Sequence, residues 1–182
     1  MSGSHKPEDV VVGHGPATKI ALIVTLTLTV VALATLLSAT NDPIDPDVAA
    51  GYLLVFGLLF CVRVVGQLVV RSTAPSWLPP MHQWHRIPYR LLLPIQIVFI
   101  AVIAAVVVDF AAGPWLFAEP NRSFGLFLIG LSGVYAGSML VRYALRMARR
   151  PTERWFGGTI PIVFHIVLAA FLFVWGTYNA SY

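Results

Sequence analysis

The chain has 182 residues, of which 58% are hydrophobic and 11% charged, and its mean hydropathy is +0.79. That mix excludes an ordinary soluble domain, in which about a quarter of the residues are charged, and makes lipid the expected solvent. The net charge of +4 sits in the connections between apolar runs, so it reads as charge at a membrane surface and not as a nucleic-acid footprint.

Residues 1–18 are polar and glycine-rich and include Pro7 and Pro16, a composition that predicts a flexible cytoplasmic tail. Five continuous apolar runs follow, at 20–39, 49–70, 91–110, 124–141 and 156–175. Each is close to the ~20 residues that a helix needs to cross roughly 30 Å of hydrocarbon. The runs do not alternate apolar with polar, so helices and not barrel strands are expected. The predicted fold is all-α: a polytopic integral membrane bundle of five transmembrane helices over residues 19–182. The first run starts late and is long enough to span, which argues against a cleavable signal peptide.

The connections alternate in charge. Lys6 and Lys19 precede the first run, Arg71, Arg86 and Arg90 follow the second, and Arg142, Arg146, Arg149, Arg150 and Arg154 follow the fourth. The stretch after the first run carries Asp42, Asp45 and Asp47 without a base. Basic residues are retained on the cytoplasmic side, so the N-terminus is expected inside and the C-terminus outside, in a membrane read as a bacterial inner membrane. Cys61, the single cysteine, lies within the second run and rules out an intrachain disulfide.

An ungapped repeat appears at an offset of 71: Gly66, Val70, Arg71, Pro80 and Trp84 recur as Gly137, Val141, Arg142, Pro151 and Trp155. It suggests two repeated helix hairpins behind an N-terminal helix, related by an axis along the membrane normal.

The connection after the second run interleaves aromatic and basic residues. Trp77, His82, Trp84, His85, Arg86, Tyr89 and Arg90 form the expected membrane-interface set, with the aromatic rings at headgroup depth and the arginines near anionic lipid phosphates. His82 and His85 share a helix face, but residues 71–90 contain no Asp, Glu or Cys to complete a metal site, so no metal is expected.

Polar groups deeper in the runs have to find partners. At about 1.5 Å per residue, Gln67 and Gln96 lie roughly 6–8 Å from the basic end, Arg63 about 12 Å and His165 about 15 Å. Arg63 and Gln67 are i, i+4 and share a helix face. Asp109, the acid within a later run, falls at the other end and cannot pair with Arg63. The guanidinium is therefore left to snorkel, to bond backbone carbonyls, to meet an acid of another subunit, or to hold an anionic or carbonyl-bearing ligand. Arg63, Gln67, Gln96 and His165 are the candidate ligand- or partner-binding residues. His165 alone could serve as an axial heme ligand, but no second histidine lies at its depth, so no cofactor is expected.

The fourth run, "GLFLIGLSGVYAGSMLVR", places Gly130, Gly133 and Gly137 on one stripe, a spacing that lets helices approach closely within the bundle or between chains. Its segment "GLSGVYAG" also resembles the serine segment of rhomboid intramembrane proteases. That resemblance covers eight residues and implies Ser132 as nucleophile and His165 as base, although the chain has five runs where the family core has six. Two broader readings stand beside it. The first is an accessory or structural subunit of a larger membrane complex, in a homo- or hetero-oligomer. The second is a transporter, channel, or lipid- or quinone-binding protein that uses the inner-leaflet polar residues.

Overall fold

A computed structural model of the chain describes residues 15–38, 43–78, 84, 88–113, 116–149 and 159–182. The expected tail is described only from residue 15 onward. His82, His85, Arg86, Pro80, Pro151 and Trp155 lie outside the described residues.

The protein is an all-helical membrane bundle: α1 (Pro16–Ser38), α2 (Pro46–Thr73), α3 (Tyr89–Ala112), α4 (Arg122–Arg149) and α5 (Ile160–Ala180). All five are long and apolar enough to cross a membrane. No strand occurs among the described residues. The helices overrun the apolar sequence because backbone hydrogen bonding continues into the interface. α4 gains its last two turns from the arginine-rich segment through Arg149. At the start of α2, the Asp45 carboxylate accepts the N–H of Asp47 at 2.8 Å and Pro46 stands in the first turn, where its missing donor costs nothing. The helix ends at Ala74, whose left-handed backbone (φ 41°, ψ 51°) returns its N–H to the Val70 carbonyl.

α5 is the centre. It packs against α4, α2 and α1, while α3 packs chiefly on α2 and reaches α5 where the Phe110 ring meets that of Tyr178 at 4.6 Å. Of the most apolar stretch of each helix, 56% is buried in α5 but only 17% in α3 and in α4, so the last two present most of their surface to lipid. α2 buries a stripe at a spacing of three or four residues: Leu53, Phe56, Phe60, Arg63, Gln67 and Val70. Arg63 and Gln67 thus occupy core positions on the side facing the rest of the bundle.

Lipid tails are as apolar as leucine, so these helices associate through close packing and hydrogen bonds and not through a hydrophobic drive. Three contacts carry the close approach. A Cβ on Gly57 would stand 2.8 Å from Ile103 of α3. One on Gly125 of α4 would lie 2.5–2.8 Å from backbone atoms of Gly176, Asn179 and Ala180 of α5. Gly176 returns the relation, with Gly125 and Ile129 backbone atoms at 2.9 Å from its Cβ position. Gly130, Gly133 and Gly137 have nothing within 4 Å of a Cβ position. Their stripe faces away from the bundle, because α4 turns its Gly125, Leu128 and Ser132 side toward α5. The sequence match at an offset of 71 is not mirrored in packing: Gly66 carries the Trp84 ring at 2.9 Å, whereas its counterpart Gly137 faces open space.

The end of the bundle away from the arginines is closed by the segment following α3. The buried Asp109 carboxylate accepts the N–H groups of Leu116, Phe117 and Ala118 at 2.7–3.3 Å. Trp175 and Tyr178 of α5 donate to the carbonyls of Phe117 and Ala118 at 3.0 and 2.9 Å, and Asn179 accepts the Asn121 N–H at 3.1 Å. Asp109 is thereby committed to three backbone amides that would otherwise be unsatisfied beside lipid.

Candidate functional site

α2 and α3 bring three of the four expected polar residues into one hydrogen-bonded group. Gln96 donates from Nε2 to the Gln67 Oε1 at 2.6 Å, Gln67 donates from its own Nε2 to the Trp84 carbonyl at 3.4 Å, and Arg63 Nη2 donates to that same carbonyl at 3.4 Å. All three side chains are buried, with 6% of Arg63, 0% of Gln67 and 3% of Gln96 exposed. The Arg63 guanidinium also lies over the Phe164 ring of α5, 5.9 Å from its centroid. This is a long cation–π contact, at the edge of the useful range.

Of the fates open to Arg63 from sequence, bonding to a backbone carbonyl within the bundle is the one observed. It does not snorkel, since a side chain only 6% exposed has not carried its head to a surface. The donor set is nonetheless incomplete. Arg63 Nε and Gln96 Oε1 are buried and have no hydrogen-bond partner among the described residues. One unused donor and one unused acceptor therefore remain in the same network, where each is expensive to bury alone.

His165 stands on α5 within electrostatic range of Arg63, with its ring 5.6 Å from that of Tyr135 on α4. Its Nδ1 bonds the carbonyl of Pro161 one turn earlier; a carbonyl only accepts, so that nitrogen carries a proton and Nε2 is left as the other polar edge. Ser132 is buried and donates to the Ala169 carbonyl at 2.8 Å. The serine and the histidine thus each engage an α5 carbonyl, and no hydrogen bond joins them as a nucleophile and base require. The hydroxyl locks α4 to α5 at the depth where the resemblance to rhomboid proteases would place chemistry.

The expected interface residues divide. Trp77 is exposed and Arg90 is exposed at the start of α3, as headgroup contact requires. Tyr89 is half-buried. Trp84 departs from the expectation, being 6% exposed with its ring against Gly66 and its carbonyl receiving Arg63 and Gln67. Gly66 makes this possible, since its missing side chain leaves the space the indole fills. Sequence reasoning missed Trp84 as a member of the polar group, because an aromatic residue among arginines fits the headgroup layer equally well.

Fold and site together define a polytopic membrane helix bundle with a buried, incompletely satisfied polar network. Comparison with protein-family models, with curated proteins and with solved structures finds no match.

Proposed function

We propose that this protein binds a lipophilic molecule at Arg63, Gln67 and Gln96, one whose polar head offers an acceptor for Arg63 Nε and a donor for Gln96 Oε1. The observation that carries the reading is the pair of buried, unpartnered atoms in one network. A head with a carbonyl or acidic oxygen beside a hydroxyl fits that demand, which makes the hydroxyl-bearing reduced form of a quinone-like compound or a membrane lipid the two sources of the chemistry. The enclosed position of Arg63 disfavours pairing with an acid on another subunit, since such an acid would have to enter the bundle.

The test is extraction of the purified protein followed by mass spectrometry of the lipophilic fraction, against a Gln96→Leu variant of equal helicity. One compound enriched near one per chain, and reduced at least several-fold by Gln96→Leu, is expected. Its structure separates quinone from lipid. Equal retention by both proteins would remove the site from the explanation.

A second reading, a subunit in a larger homo- or hetero-oligomer, is favoured by the stripe of Gly130, Gly133 and Gly137, which lies open on α4. Glycines spaced in this way on a lipid-facing surface suit the close approach of another helix.

Both readings use one orientation, with the arginine-rich end and N-terminus inside and the C-terminus outside, as in a bacterial inner membrane. With Cys61 replaced by alanine, cysteines at Asp47 and Tyr182, both exposed, should react with an impermeant thiol reagent on intact cells. One at Arg149 should react only after permeabilisation. Labelling of Arg149→Cys from outside would invert the topology.

A further inference from the structure

α1 and α4 both lie on or beside α5, and between them runs an apolar groove of about 370 Å³ at the arginine-rich end of the bundle. We propose that this groove seats one acyl chain of a glycerophospholipid whose anionic headgroup rests at the groove's mouth.

The walls point all three helices' apolar faces inward and then turn basic or polar toward that end. On α1 the lining residues Leu22, Ile23 and Leu26 follow Lys19 at i+3, i+4 and i+7. On α5, Ile162, Val163 and Ile166 repeat that spacing behind Thr159. On α4 the lining pair Leu140 and Tyr143 is continued by Arg146 at i+3. Helical periodicity thus carries each apolar wall to a polar or cationic residue at one end.

From Thr159 to Ile166 the groove runs about 10 Å at ~1.5 Å per residue, and its lining is apolar apart from the hydroxyls of Tyr143 and Thr159, which suits an extended hydrocarbon chain.

Charge decides the head. Lys19, Arg71, Arg90, Arg142, Arg146 and Arg149 stand at this end, while every acid among the described residues, Asp45, Asp47, Asp109 and Glu119, stands at the other. Clustered bases beside the headgroup layer favour an anionic lipid. The attraction is one of summed charge and requires no particular base to be unengaged.

The experiment is native mass spectrometry of the full chain in mild detergent titrated with phosphatidylglycerol or phosphatidylcholine, alongside Leu140→Trp, which fills the groove, and Val134→Trp, which adds the same ring to an exposed α4 position outside it. One phosphatidylglycerol per chain is expected to survive detergent stripping. Retention should fall about tenfold in Leu140→Trp and in the paired Lys19→Gln, Arg146→Gln protein, and stay unchanged in Val134→Trp. Equal retention of phosphatidylcholine, full retention by Leu140→Trp, or a dimer that Leu140→Trp dissociates would each overturn the proposal. A second measurement on the native chain guards against a misfolded variant. Phosphatidylglycerol carrying a photoreactive acyl group should crosslink within 22–26, 140–143 and 162–166, and crosslinks spread evenly over α3 and the rest of α4 would overturn it as well.

Discussion

Gly125→Ala is expected to cause the largest stability loss of any single methyl group added to this bundle, lowering the unfolding midpoint in mild detergent by roughly 5–10 °C. The reason is the chemical nature of what the methyl meets. Its Cβ would stand 2.5–2.8 Å from the Ala180 nitrogen, the Gly176 oxygen and the Asn179 carbonyl carbon. These are backbone atoms of a helix, and none can rotate aside as a side chain would. Ordinary contact requires about 3.5 Å, so α4 and α5 must separate by up to about 1 Å. Overpacking of this kind costs about 1–3 kcal/mol, and the upper part of that range is expected here because the displacement also strains the 2.8 Å bond from Ser132 to the Ala169 carbonyl. Gly133→Ala on the same helix meets nothing within 4 Å, so the isolated chain should gain slightly from the better helix former. If Gly133 instead seats a second helix, Gly133→Ala should leave the chain's midpoint intact and shift the native mass. Equal midpoints for Gly125→Ala and the native protein would show that α4 is not held where it lies.

The second large effect is expected at Arg63, where function and stability should move in opposite directions. Removing a guanidinium from water costs several kcal/mol, and the long contacts to the Trp84 carbonyl and the Phe164 ring return little of it. Arg63→Leu should therefore leave the ligand-free bundle as stable as before, or more stable, with Gln67 still donating to the Trp84 carbonyl. It should nevertheless abolish retention of the bound lipophile. Arg63→Lys should also lose it, at least tenfold, because a single ammonium cannot bond a carbonyl through one nitrogen and a ligand through another as the planar fork does. The pair of measurements separates the alternatives. A destabilised Arg63→Leu protein would make the residue a clamp for the segment containing Trp84, and native ligand retention in Arg63→Lys would sink the binding role.

The polar group was legible in large part because it breaks a pattern. An arginine and two glutamines inside apolar runs are conspicuous at any register, and a depth count along α2 and α3 suffices to place Gln67 opposite Gln96. The five helices were legible for a related reason, since backbone satisfaction in lipid leaves continuous apolar runs few alternatives. The helix ends were less so, because the last turns of α4 contain Ala144, Arg146 and Arg149, which hydropathy discards although the backbone continues through them. Trp84 was hidden by a tertiary event, the return of its segment onto Gly66. The glycines show the same limit. Gly130, Gly133 and Gly137 announce themselves by spacing within one helix, whereas Gly125 and Gly176 are single residues on two helices whose relation exists only after the helices pair. Their depths match, since Gly125 lies about one turn after the start of α4 and Gly176 about one turn before the end of α5, at the same end of the bundle, and a search for small residues at equal depth on neighbouring runs would have found them.

The central place of α5 has a consequence for how the protein is made. A ribosome delivers α1, α2, α3 and α4 before the helix that three of them pack against. The α2 and α3 hairpin can close early around Gly57, but α1 and α4 have to wait in the bilayer without their main neighbour. At roughly 5–20 residues per second, α1 waits from several seconds to some tens of seconds and α4 only a few seconds. Until then the Gly125, Leu128 and Ser132 face of α4 that α5 will cover is open to lipid and to other proteins. The arrival of α5 ends that exposure.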